Sequence, residues 1–106
     1  MRRNALMPLV VAPLETEIER RTCHYALGKG VLVLKLNVIG RRGWPDRLFV
    51  YQGRIALVEF KRPDVRPTIY QKMIHERLNA HQFKVSIIDS RAAGRRLIDL
   101  LTEPRR

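Results

Sequence analysis

Residues 43–61 read Gly43-Trp44-Pro45-Asp46-Arg47-Leu48-Phe49-Val50-Tyr51-Gln52-Gly53-Arg54-Ile55-Ala56-Leu57-Val58-Glu59-Phe60-Lys61. Two runs rich in apolar, β-branched and aromatic residues, Asp46–Tyr51 and Arg54–Lys61, are joined by Gln52-Gly53. A two-residue joint with glycine in second place is a tight-hairpin signal. With that loop, Tyr51 pairs with Arg54, and the same register sets Asp46 opposite Glu59 with Cβ atoms about 4.5–5.5 Å apart. Lys61 lies two residues beyond Glu59 and shares its face, with Trp44 as its nominal partner. The rest of that face is Leu48, Val50, Ile55 and Leu57, while Phe49, Ala56, Val58 and Phe60 line the other. Two apolar faces predict a sheet covered by helices on both sides.

Two carboxylates and an ammonium thus share one end of a buried surface. Facing like charges are unfavourable, and a buried unpaired charge is worse. Lys61 can offset one carboxylate, and a divalent cation can offset both. Oxygen ligands with no supporting His or Cys pair favour magnesium or manganese over zinc. The competing reading is a structural Asp46–Lys61–Glu59 cluster at a strand end.

Working outward, Leu14–Leu27 reads as a helix stopped by Gly28-Lys29-Gly30, and Val31–Leu36 as a short apolar strand. Gly40–Pro45 is a basic loop, and Arg62–Pro67 a second one. Thr68 to about Ala80 follows as a helix with Tyr70, Met73, Ile74 and Leu78 at helical spacing. Phe83–Ile88 is a fourth strand and Arg91–Leu101 a closing helix. The step from Arg54–Lys61 to Phe83–Ile88 predicts a right-handed parallel crossover. The order α-β-β-β-α-β-α gives an α/β fold, a mixed four-stranded sheet flanked by helices.

On the first helix Leu14, Ile18 and Tyr25 mark the inward stripe, extended by Thr22 and Ala26. Glu15 falls within it, Glu19 at its edge, and Glu17 on the far side. Either Glu15 or Glu19 can lean towards the Asp46–Glu59 end, although acids in a first turn also suit the helix dipole. Gln71 aligns with Ile74 and Leu78, facing inward, where it can orient a metal-bound water or touch phosphate; Thr68-x-x-Gln71 is equally a capping-box pattern.

The 106-residue length limits the chain to one domain, and 45% apolar content argues for a folded globule. Lys and Arg total 21 against 10 Asp and Glu, a net +11 that makes a polyanion the first partner to consider. Arg41, Arg42, Arg47, Arg62 and Arg66 surround the proposed site, and arginine forks suit phosphate. Five of the ten acids (Glu15, Glu17, Glu19, Asp46, Glu59) fall in the first helix and the hairpin. A protein that only grips phosphate has little reason to bury carboxylates beside basic loops. Trp44 can stack on an exposed base or buttress the Pro45 turn. The single cysteine, Cys23, excludes an internal disulfide framework and fits a reducing compartment. No apolar run approaches the roughly 20 residues that span a bilayer. Residues 1–13 read as an extended arm ahead of a 14–102 domain, and the expected location is the cytoplasm.

Pro45-Asp46 followed by Glu59-Phe60-Lys61, with an acidic helix upstream, resembles the PD-(D/E)xK nuclease signature. More narrowly the chain resembles the stand-alone VRR-NUC family, through Glu15-Thr16-Glu17-Ile18, Gly30, Gly43-Trp44-Pro45-Asp46-Arg47-Leu48, Val58-Glu59-Phe60-Lys61-Arg62-Pro63, Gln71 and Leu78. The resemblance covers most of residues 14–90 and implies a restriction-endonuclease-like core and metal-dependent phosphodiester hydrolysis. It implies Mg2+ or Mn2+ held by Asp46, Glu59 and the Phe60 main-chain carbonyl, with Lys61 orienting or deprotonating the attacking water. It further implies a homodimer that cuts branched DNA such as four-way (Holliday) junctions in a bacterial or phage-infected cell. Two positions depart from the family: Gln is common where this chain has Glu19, and Gly where it has Gln82. The competing functional readings are a non-catalytic basic nucleic-acid-binding module and a sequence-specific duplex endonuclease.

Overall fold

Gln52 and Gly53 have φ of 44° and 78°, the left-handed pair that lets a two-residue turn match the twist of its strands. A computed structural model describes residues 14–105, so the arm expected at residues 1–13 lies outside the described residues. The elements are α1 (Glu15–Gly28), β1 (Leu32–Lys35), β2 (Arg47–Tyr51), β3 (Arg54–Phe60), α2 (Ile69–Ala80), β4 (Val85–Ile88) and α3 (Arg91–Leu101). They follow the order read from sequence. The strand ends are trimmed: β1 and β4 begin later than expected, and β2 starts at Arg47 rather than Asp46.

The sheet order is β1-β2-β3-β4. β2 and β3 pair antiparallel with Tyr51 opposite Arg54, as the hairpin reading requires. β1 adds antiparallel to β2, Leu34 opposite Leu48. β4 lies parallel to β3 with Glu59 beside Ile87 and Phe60 beside Ile88. The Lys61 amide donates to the Ile88 carbonyl at 2.9 Å and carries this pairing past the end of β3.

One face of the sheet holds the core. Phe49, Val58 and Phe60 pack with Ile18 and Ala26 of α1 and with Ile98 and Leu101 of α3. Burying each large apolar side chain contributes about 1.5–3 kcal/mol. The two helices approach closely because Gly94 has no side chain: a Cβ there would overlap the Thr22 hydroxyl. Arg54 Nη1 donates to the Leu101 carbonyl at 2.7 Å, satisfying an orphan acceptor at the end of α3 and tying that helix to the hairpin.

The opposite face differs from the expectation of two covered faces. α2 shields the β4 side, where Val85 is 8% exposed, but Leu32 (55%), Leu34 (39%), Ile55 (43%) and Ile87 (44%) remain open. The cause is topological: α1 and α3 both lie on the core side, leaving one 12-residue helix for this face. Gln82 has φ 69°, so the exit from α2 uses a left-handed residue where the resembled family has glycine. The Phe83 amide donates to the Leu78 carbonyl at 2.9 Å and closes that exit.

Candidate active site

Asp46 is placed by the loop before it. Gly43 has φ 88° and lies so close to α2 that a Cβ would overlap the Tyr70 backbone. Only glycine meets both conditions without strain. Pro45 is fully buried, and the Asp46 carbonyl accepts from the Leu36 amide at 3.0 Å. The antiparallel ladder stops at Arg47 opposite Val58. Beyond it the Asp46 amide also donates to the Val58 carbonyl at 2.9 Å, one residue short of Glu59, its partner in the extended register. The direct Asp46–Glu59 pairing therefore does not form. Instead the Asp46 carboxylate reaches along β3, its Oδ2 accepting from the Phe60 amide at 2.7 Å.

Glu59 is 2% exposed, and Lys61 7%. The Glu59 Oε2 accepts from Gln71 Nε2 at 2.7 Å and lies 3.8 Å from Lys61 Nζ. Its other oxygen, Oε1, is buried without a hydrogen-bond partner. Gln71 also completes the capping box of α2: its Oε1 accepts from the Thr68 amide at 2.8 Å, and its own amide donates to Thr68 Oγ1 at 3.2 Å. The capping-box reading of Gln71 is thus met, and the same side chain also holds the Glu59 carboxylate.

Burial pushes the Glu59 carboxyl up to about 7, and the neighbouring Asp46 charge adds to it, against the pull of Lys61; Glu15 and Glu19 push the same way. Burial likewise raises Asp46, opposed by the Phe60 amide and reinforced by Glu19. The carboxylates are therefore close enough to feel one another although their backbones do not pair. Glu19 is held aside: Arg47 Nε donates to its Oε2 at 2.7 Å, with both side chains largely buried. Arg47, read from sequence as a phosphate contact, faces inward to this partner. Glu15, in the first turn of α1, has no ion-pair or hydrogen-bond partner among the described residues.

Among the described residues no group of three or more His, Cys, Asp or Glu side chains converges as a metal cage. What converges is the pair Asp46 and Glu59, each with one oxygen engaged and Glu59 Oε1 orphaned. Two oxygen donors with raised affinity for positive charge fit a hard divalent cation. Arg62 and Arg66 are exposed on the loop after β3, and Arg41 and Arg42 on the loop before β2. Arg42 lies over the Tyr70 ring, 5.0 Å from its centroid. Trp44 lines a cavity of about 180 Å3 with Ile74, Leu78 and His81, its Nε1 buried without a partner. Sequence reading missed the Phe60 amide, because a backbone donor leaves no residue-type signal.

No family model matches the chain. A curated phage protein described as "Putative nuclease p44", from Acyrthosiphon pisum secondary endosymbiont phage 1, is 39% identical over 77 residues, which is 72% of this chain and 83% of that protein. A solved structure described as a VRR_NUC domain superposes with a TM-score of 0.73 at 30% identity, covering 80% of this chain and 94% of that one. Fold and site together define a nuclease-type α/β domain with a restriction-endonuclease-like core. The chain belongs to the VRR-NUC domain family. No helix among the described residues is long and apolar enough to cross a membrane.

Proposed function

We propose that this chain is a divalent-metal-dependent endonuclease that hydrolyses phosphodiester bonds in branched DNA such as four-way junctions. The observation that carries the proposal is Glu59, buried beside Asp46 with an unpartnered oxygen, at the foot of two loops rich in exposed arginine. Asp46, Glu59 and the Phe60 carbonyl would hold Mg2+ or Mn2+, which when bound lowers the pKa of water and neutralises charge on the phosphate. The Lys61 ammonium, 3.8 Å from Glu59 Oε2, positions the attacking water and steadies its negative charge. Gln71 fixes the Glu59 carboxylate in one orientation. Glu15 serves the site from α1, since Glu19 is engaged by Arg47. Arg41, Arg42, Arg62 and Arg66 hold backbone phosphates on either side, contacts that give affinity without reading sequence.

Two copies acting as a homodimer suit paired incisions in a symmetric branch, and the open apolar face of the sheet supports such pairing. The site of action is the cytoplasm of a bacterial or phage-infected cell. The test is incubation with magnesium and either a labelled four-way junction or a linear duplex of the same arms. Paired nicks in the junction, with the duplex cut far more slowly, are expected. Binding to both with no nick in either would establish a non-catalytic binding module instead, and equal cutting at one sequence in both would establish a duplex-specific enzyme.

A further inference from the structure

A second basic site lies outside the cleft, between α1 and α3. Its cavity of about 360 Å3 is lined by Arg20, Arg21, His24 and Tyr25 from α1 and by Arg91 and Arg95 from α3. Four guanidinium groups line it, with Glu17 beside those of α1 and Asp99 beside Arg95. Glu17 fastens two of them, with Arg20 Nη2 at 2.9 Å and Arg21 Nε at 2.8 Å, and these contacts hold its carboxyl below the usual range. Arg95 lies 4.5 Å over the Tyr25 ring, and the ring is fixed through its hydroxyl, which donates to Asp99 at 2.5 Å. Arg91, the first residue of α3, has no carboxylate partner among the described residues. Thr22 closes the floor, 2% exposed, its hydroxyl packed against Gly94 of α3.

Guanidinium groups from two helices converging on one cavity, three of them braced by Glu17 or the Tyr25 ring, form a built anion site rather than a diffuse basic surface. Its position gives the anion's identity. The Lys61 amide bonds the Ile88 carbonyl, three residues before Arg91, and Arg20 follows Glu19 directly. The Arg91 end of the groove therefore lies towards the edge of the sheet that carries Glu59 and Lys61. We infer that the α1–α3 groove binds the phosphodiester backbone of a DNA arm leaving the cleavage site. This inference rests on the nuclease reading for its ligand, though not on the metal chemistry.

The experiment is fluorescence anisotropy with a labelled four-way junction and the full chain, in EDTA, over a series of salt concentrations. R20A/R91A removes one guanidinium from each helix wall, and R96A/R105A removes the same charge elsewhere. The groove variant is expected to bind at least about tenfold more weakly and to lose about two from the log–log salt slope, at about 0.9 per phosphate contact. The control is expected to stay within about threefold of the parent. Equal losses in the two variants would overturn the groove. So would abolition of the difference by inorganic phosphate at constant ionic strength, which assigns the groove to a free anion. Groove-dependent binding without any nicking in magnesium would discard the nuclease reading and keep the groove. Nicking with no groove dependence would do the reverse.

Discussion

Gln71 joins the start of α2 to the buried acid of β3: its Nε2 donates to Glu59 Oε2 at 2.7 Å while its Oε1 accepts from the Thr68 amide at 2.8 Å. The helix cap and the site geometry are therefore the same object. Gln71→Ala is expected to cost about 1 kcal/mol through the cap and to lower cleavage about 10–100-fold through the unsupported carboxylate. Gln71→Glu keeps an oxygen for the Thr68 amide but faces Glu59 with a second carboxylate. Denaturant melts should show it nearer the parent in stability than Gln71→Ala, with cleavage assays showing a loss at least as deep.

Gly43 sets the approach of the Trp44-Pro45-Asp46 loop to α2. Gly43→Ala combines a strained positive φ with overlap of the Tyr70 backbone, so a loss of about 2 kcal/mol or more is expected. Thermal unfolding measures it, and an unchanged melting temperature would show that the loop docks otherwise.

The hairpin, the parallel β4 and the element order were legible because each rests on a local signal: the Gln52-Gly53 joint, alternation along β2 and β3, and Thr68 ahead of α2. The set Asp46, Glu59, Lys61 and Gln71 was legible as well, from residue types at one strand end. Sequence spacing carried no sign of how Asp46 arrives. Register arithmetic runs the ladder one pair too far: Asp46 and Arg47 both fall opposite Val58, and only the Asp46 carboxylate reaches on to the Phe60 amide. Nor did spacing show that Arg47 turns to Glu19, 28 residues away, or that α1 and α3 share one face and leave Leu32 and Ile55 open.

The acids of α1 are separable by their partners. Both charges act on Glu59, but Glu19 is tied to Arg47, whereas Glu15 has no such tie among the described residues. Glu15→Gln should lower the cleavage rate about tenfold or more, and Glu19→Gln less than about threefold. The reverse order in single-turnover rates would place Glu19 in the site.

Without metal, the raised Glu59 carboxyl makes stability depend on pH. Its folded value of about 7 lies above the ordinary 4.5, so the folded state holds a proton that the unfolded chain has already released. Stability therefore falls as pH rises from about 4.5 to 7, by at most about 3 kcal/mol, and levels off above. In EDTA, the denaturant midpoint of the parent should drop between pH 5 and 8 by more than that of Glu59→Gln. Parallel profiles would mean that Glu59 titrates normally.

The shared ion between Asp46 and Glu59 is tested most directly by the cleavage rate of a labelled junction as magnesium is raised from none, in the parent chain and in Glu59→Gln. The parent is expected to be silent in EDTA and to rise to saturation, while Glu59→Gln stays flat at every concentration and still binds the junction in calcium. Cutting that survives EDTA, or a Glu59→Gln curve that follows the parent, would contradict it.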